Sequence, residues 1–213
     1  MGTMLIHPWD QASKDEWQAL LRTVDFGQLV AAGREHEYPV VVPTHFLHRG
    51  ADELWLHFAR PNPVWRAIEE NPHVVLAVIA DYTYIEAAWD AEDGVPPEHG
   101  VPTSYYTGVQ LRCRAEIVDD PAEKFAILAA QLRHLEPEGS LRVTPSAEVE
   151  TDRRLLPGIR GLRLSIESVQ AKMKYGGNKS AVTRARIADQ LASRDGPGDL
   201  AVRSHLLRRS RPD

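Results

Sequence analysis

Apolar positions recur along this chain with two periods, and the switches between them mark its elements. Trp17, Leu20, Leu21 and Val24 follow a Ser13–Glu16 capping box at helical spacing, which predicts an amphipathic helix over about Lys14 to Thr23. Gln28 to Ala32 and Tyr38 to His48 read as strands joined near Gly33, and Arg49-Gly50-Ala51-Asp52 turns the second into Leu54 to Phe58. There Leu54, Leu56 and Phe58 alternate with Trp55, His57 and Ala59, the pattern of a half-buried strand. Asn62-Pro63 supplies an N-cap and a first helical residue with no amide to orphan, so a helix runs to Glu70. His73 to Ala87 is apolar on both faces and reads as a central strand. Asp90 to Gly100, rich in Gly and Pro, is a loop and a candidate lid.

Thr103 to Val118 alternates again. Tyr105, Val109, Leu111, Cys113 and Ala115 take the core phase, and Tyr106, Gln110, Arg112 and Arg114 the other. Asp120-Pro121 opens a helix through Leu135, and Pro and Gly break residues 136–158, leaving room for a short helix. Leu162, Leu164 and Ile166 mark a last strand to about Tyr175, followed by helices over Ser180 to Ser193 and Gly198 to Arg209. Strands without a strand–helix–strand rhythm, plus inserted and C-terminal helices, predict a mostly antiparallel α+β barrel.

The hairpin around Ala51 yields the first chemical inference. If it centres there, His48 opposes Leu54, and His45 comes opposite His57. Phe46, Leu56 and Phe58 make the better core face, so the two imidazoles are expected side by side on the outer, partner-facing surface, within reach of one ligand. Imidazole is the usual neutral nitrogen donor to iron, which makes His57 the candidate metal ligand; its bland alternative is a surface histidine beside Trp55. Neither histidine has the spacing of a zinc site. Arg60 sits where a strand hands over to a helix, a place where anions meet free amides. Lys172 and Lys174 alternate with Met173 and project from one face, which suits a phosphate or a pair of carboxylates, unless they are a solvated strand end. Trp65, Trp89 and Tyr106 are candidate flat walls for a ring, Glu86 and Asp90 candidate bases, and Cys113 a small core residue.

Composition narrows the setting. With 213 residues and 43% hydrophobic content, the chain can bury one good core, and we expect residues 1–175 to form the cofactor-binding domain and 176–213 a helical extension packed on it. A single cysteine excludes an internal disulfide, and with neither a leader nor a long apolar run the expectation is a cytoplasmic protein without a membrane segment. The formal net charge is −5, yet the last third is basic and the front acidic. Solvated helix faces, anionic cofactor groups or a second subunit explain this as well as nucleic acid, which is the less favoured partner. No nucleophile elbow or phosphate-cradling glycine loop is present.

His57, Ala59, Arg60, Asn62, Pro63 and Trp65 together match the pattern H-x-A-R-x-N-P-x-W. In this block the chain resembles the PaiB-like proteins, known as FMN-binding negative transcriptional regulators. Partial agreement continues at Thr44-His45, Tyr84-Ile85 to Trp89, Val101-Pro102-Thr103 leading to Tyr106, and Lys172-Met173-Lys174 ending in Asn178. The resemblance spans nearly the whole chain. It implies an FMN-binding split barrel that forms a homodimer with the cofactor at the subunit interface. The cofactor-binding positions would be His45, His57, Arg60, Trp65, Tyr106, Lys172, Lys174 and Asn178.

Several family positions are altered here. Glu86, Ala87 and Ala88 precede Trp89, Asp90 follows it, Ser104 and Tyr105 precede Tyr106, and Tyr175-Gly176-Gly177 precedes Asn178. These changes remove hydroxyl and amide groups that would serve a flavin, and they resemble the piperazate synthase branch of the family. That resemblance implies haem b and an intramolecular N–N bond formation, the dehydrative cyclisation of N5-hydroxy-ornithine to piperazic acid, with iron as Lewis acid. His57 would then be the axial ligand, Arg60, Lys172 and Lys174 the cations for propionates and substrate carboxylate, and His57, Arg60 and Lys174 the catalytic set. The alternatives are an FMN-binding regulator of the PaiB type and a split-barrel flavin oxidoreductase.

Overall fold

The alternating stretches form strands β1 (Phe26–Ala31), β2 (Val40–His45), β3 (Leu47–Arg49), β4 (Glu53–Ala59), β5 (His73–Ile85), β6 (Thr103–Val118) and β7 (Ile159–Lys174). The helices are α1 (Lys14–Leu20), α2 (Val64–Glu70), α3 (Ala87–Asp90), α4 (Pro121–Leu135), α5 (Glu150–Leu155), α6 (Ala181–Arg194) and α7 (Asp199–Arg208). The computed structural model describes residues 4–35, 37–50, 52–92 and 94–209; Ala51, the expected hairpin centre, lies outside them. The seven strands form one sheet in the order β2-β1-β5-β6-β7-β4-β3. Its registered pairs β1–β2, β1–β5, β3–β4 and β4–β7 are antiparallel. The sheet stays open, as expected of an α+β split barrel.

Contacts divide the chain into two units that are not consecutive in sequence. Residues 18–78 and 110–169 make what we call the core unit, and residues 1–17, 79–109 and 170–213 the terminal unit. The C-terminal helices therefore group with strand ends and with the first residues of the chain. Among the described residues, no helix is long and apolar enough to cross a membrane.

In the core unit, Leu54, Leu56 and Phe58 of β4 point inward, and Leu54 and Leu56 pair with Leu164 and Leu162 of β7. Trp55 and His57 take the other face, as alternation demands, and α4 packs against this strand. Helix α4 starts as predicted, with the Asp120 carboxylate accepting from the Glu123 amide at 2.9 Å. Gly161 lets it approach, since a Cβ there would lie 2.7 Å from Ile127 Cδ1. One expected strand is broken. At Phe46 the ring is buried and the amide closes the β1 pairing on the Asp25 carbonyl at 2.7 Å; from Leu47 the chain pairs with β4 instead, so the run splits into β2 and β3.

In the terminal unit, Ile85, Tyr105 and Tyr175 are the large buried side chains, and α6 packs on α7. The stretch expected to be a lid is partly structured, with α3 followed by a 3-10 turn over Pro97–His99. Any side chain at Gly100 would overlap the Ala87 carbonyl, so that loop is folded down on α3.

Candidate functional site

The core unit holds a cavity of about 340 Å³, at the lower end of the range of small-molecule sites. Its walls are apolar, chiefly Phe125, Leu128 and Leu132 of α4 with Leu155, Leu156 and Ile159, and His45 and His57 line it. The two imidazoles meet edge to face with centroids 5.6 Å apart, so the histidine pair exists, but helix α4 covers it, and it does not lie on the outer, partner-facing surface expected of it. His48 opposes Leu54, as the register argument required.

A residue that sequence reasoning missed controls this pair. Gln131 of α4, only 2% exposed, places its Oε1 2.7 Å from His57 Nδ1 and donates its own amide N–H to the Trp55 carbonyl at 3.2 Å. The carbonyl contact fixes which way the amide faces, so Oε1 accepts and His57 Nδ1 carries the proton. The Nε2 lone pair is thereby left to a ligand. Burial holds the imidazole below its usual pKa, the Gln131 hydrogen bond offsets this in part, and neighbouring His45 adds to the depression. His57 is a neutral base. At the rim, Arg142 is bound to the Asp152 carboxylate at 2.8 Å, and Asp152 is held below its usual pKa by that bond and by the Ser146 amide.

The terminal unit holds a second, polar cavity of about 460 Å³. Lys172, Lys174 and Asn178 line it, together with Asp10, Asp90 and Tyr105. Lys172 Nζ donates to the Leu5 carbonyl at 2.9 Å and lies 3.9 Å from Asp10; Lys174 Nζ donates to the Thr103 hydroxyl at 2.5 Å. Burial raises the pKa of Asp10 and Asp90 and lowers that of Lys174.

The structure thus sorts the expected positions into separate places. His45 and His57 share one cavity, and Lys172, Lys174 and Asn178 share the other. Arg60 lines neither, because its guanidinium is held by Asp119 at 3.0 Å and the Pro157 carbonyl at 2.8 Å. Trp65 is a core ring, its indole N–H donating to the Ala59 carbonyl at 2.9 Å beneath Phe58. Tyr106 is half-buried with Lys172 Nζ 6.0 Å from its ring centre, and it is Tyr105 that lines the polar cavity. Cys113 is buried, its thiol pushed up to about 12 by desolvation. Among the described residues, no three His, Cys, Asp or Glu side chains converge on a metal position.

The family described as "Putative FMN-binding domain" matches residues 4–168. This chain belongs to that PaiB-like, FMN-binding family. A curated member-like relative, the protease synthase and sporulation protein PAI 2 of Bacillus subtilis, is 26% identical to this PaiB-like chain over 178 residues, 81% of each protein. Among solved structures, the FAD- and haem-binding protein of Mycobacterium smegmatis is similar at a TM-score of 0.59 and 21% identity, covering 78% of this chain and 74% of its own. A flavocytochrome of Azotobacter vinelandii is similar at 0.59 and 20%, covering 77% and 68%. These two likenesses bear on the fold: PaiB-like chains share their split barrel.

Proposed function

We propose that this chain is a prosthetic-group protein that seats a planar cofactor against His57 in the apolar cavity of the core unit. The observation that carries this reading is the hydrogen-bond chain from Trp55 through Gln131 to His57, which leaves a neutral imidazole with one unclaimed lone pair beside an apolar wall. FMN is the cofactor that the family description supports, making the chain a PaiB-like flavoprotein, a regulator or an oxidoreductase. Its flavin ring suits the cavity, being flat and bearing an imide N–H that can donate to Nε2. Its phosphate finds less there, since Arg142 is already paired with Asp152.

Haem b is the second reading, favoured by the donor set. A neutral histidine whose other ring nitrogen is fixed by an oxygen acceptor is the usual metal-ligating arrangement. The names of the two similar structures add support, because one is a flavocytochrome and the other binds FAD and haem. Haem bound there would supply a Lewis-acidic iron, chemistry that suits N–N closure in N5-hydroxy-ornithine with loss of water. On this reading the chain's own part is that His57 offers Nε2, Gln131 keeps the proton on Nδ1, and Phe125, Leu128 and Leu156 exclude water. We also propose the homodimer that the resemblance implies, supported by exposed Ile79, Tyr82 and Tyr84 on β5; it should sediment at twice 23.8 kDa.

The visible spectrum of the purified protein, followed by titration with FMN and with hemin, tests both readings. On the haem reading the protein shows a Soret band that His57→Ala shifts or abolishes while the apo-protein's Tm is kept. A flavin spectrum with no Soret band removes haem and leaves FMN, and retention of neither cofactor overturns the proposal.

A further inference from the structure

The polar cavity of the terminal unit contains two buried polar atoms that nothing among the described residues satisfies. Tyr105, 2% exposed, has a hydroxyl without a hydrogen-bond partner, and Asp90, 5% exposed, leaves Oδ1 unpaired. Leaving such a group dry is costly, so two in one cavity point to something that pairs with them when bound. Their surroundings say what it is. Lys179 is already committed to Asp90 Oδ2 at 3.2 Å and Glu92 at 2.7 Å, and Lys172 to the Leu5 carbonyl and Asp10. Lys174 has only the neutral Thr103 hydroxyl, and among the described residues no carboxylate lies within ion-pair distance of it. Burial keeps the Tyr105 phenol protonated, so it can donate. An unpaired ammonium and an unpaired O–H call for an anionic oxygen group, whereas the unpaired Asp90 oxygen calls for a donor.

We infer that this cavity binds an oxyanion that carries its own hydrogen-bond donor, the chemistry of a polyol phosphate or a small hydroxy acid. The oxyanion meets Lys174 and the Tyr105 hydroxyl, and the ligand's O–H meets Asp90. The backbone is shaped for it. Gly176, at φ +64°, lines the cavity where a Cβ would lie 2.5 Å from the Tyr105 oxygen, so a larger residue there would crowd the hydroxyl. The Trp9 indole, stacked on His7 with centroids 4.7 Å apart, gives the cavity an aromatic edge. Two sources share this chemistry: a phosphate-bearing cofactor tail and a free metabolite.

Calorimetric titration of the full chain with glycerol 3-phosphate, glycolate, acetate, FMN and riboflavin tests this. Glycerol 3-phosphate or glycolate should bind, and acetate, which has the anion without the donor, should bind more weakly. Tyr105→Phe and Lys174→Met should each weaken binding tenfold or more at unchanged Tm, by the usual worth of a hydrogen bond to a charged group. Binding of FMN but not riboflavin, lost in both variants, assigns the site to a phosphate-bearing cofactor tail; binding of glycolate without FMN assigns it to a metabolite. His57→Ala should leave the binding of glycerol 3-phosphate and glycolate unchanged, so a failed Soret band and a failed titration are separate results. If neither oxyanion binds, or if binding survives both substitutions, the inference is wrong.

Discussion

Gln131 spends its N–H on the Trp55 carbonyl, so its oxygen faces His57 and the imidazole proton has one place to go. The consequence can be measured without any cofactor. Long-range ¹H–¹⁵N spectra should show His57 protonated on Nδ1 in the apo-protein, and Gln131→Leu should release the ring to mixed tautomers. Gln131→Glu puts a carboxylate at the same place and should raise the His57 pKa by roughly 1–3 units, the usual effect of an adjacent opposite charge. The sign for stability follows from the depressed value in the native protein: the unfolded chain takes up a proton first, so His57 favours the folded state above about pH 6.5 and loses this as pH falls through its lower folded pKa. Urea titrations at descending pH should show that slope, and His57→Gln should flatten it. The histidine pair was legible in the sequence because alternation across a tight hairpin fixes faces. Gln131 was not, although it left a trace: it sits at helical spacing from Ile127, Leu128 and Leu135, a polar residue on an apolar stripe.

Among the elements, α6 and α7 are joined by a buried carboxylate. Asp199 accepts from the Thr83 hydroxyl at 2.6 Å, from Arg194 Nη2 and Nε at 2.7 and 2.8 Å, and from the Gly196 amide at 2.9 Å. Those bonds hold its pKa at about 2, well under the usual 3.8. Its stabilisation is therefore complete above pH 3.8 and disappears as pH falls toward about 2. Asp199→Asn, which leaves Arg194 only the more distant Glu86 at 3.6 Å as a counter-charge, should cost about 3 kcal/mol in denaturant unfolding at neutral pH, the lower end of the scale found when one partner of a buried pair is removed. Neither residue could be singled out from sequence, where both look like ordinary helix-end charges. Elements with an unambiguous period fared otherwise: β6 over Thr103–Val118 and α4 over Pro121–Leu135 stand where alternation and the Asp120-Pro121 cap put them. The β2–β3 run broke because the chain changes partner at Phe46: up to it the strand pairs with β1, the Phe46 amide to Asp25 being the last rung, and from Leu47 it pairs with β4. Pattern alone does not show which neighbour a strand will take.

At the scale of the molecule, the uneven charge of the sequence resolves into internal pairing. Arg160 is bound by Asp119 and Glu69, Arg163 by Glu123, Lys179 by Asp90 and Glu92, Arg194 by Asp199, and Arg209 by Glu16. A basic last third in which many of the cations already face carboxylates has fewer counterions to release from a phosphate backbone, and counterion release is what drives such binding. Each pair in the exposed class is worth little to stability, so the effect is on available charge rather than on folding. If this PaiB-like chain acts on transcription, the contact should not run through that segment. Fluorescence anisotropy with a labelled duplex at near-physiological salt should give no binding tighter than the roughly 10⁻⁴–10⁻⁶ M of non-specific association, and a shallow dependence on salt. Charge-reversal at Arg184 and Arg203, which the structure ties only to the Lys179 and Ala188 carbonyls, should then change nothing in that assay. Nanomolar binding that weakens steeply with salt, and that those two substitutions abolish, would instead make the basic third a nucleic-acid surface and restore the regulator reading in full.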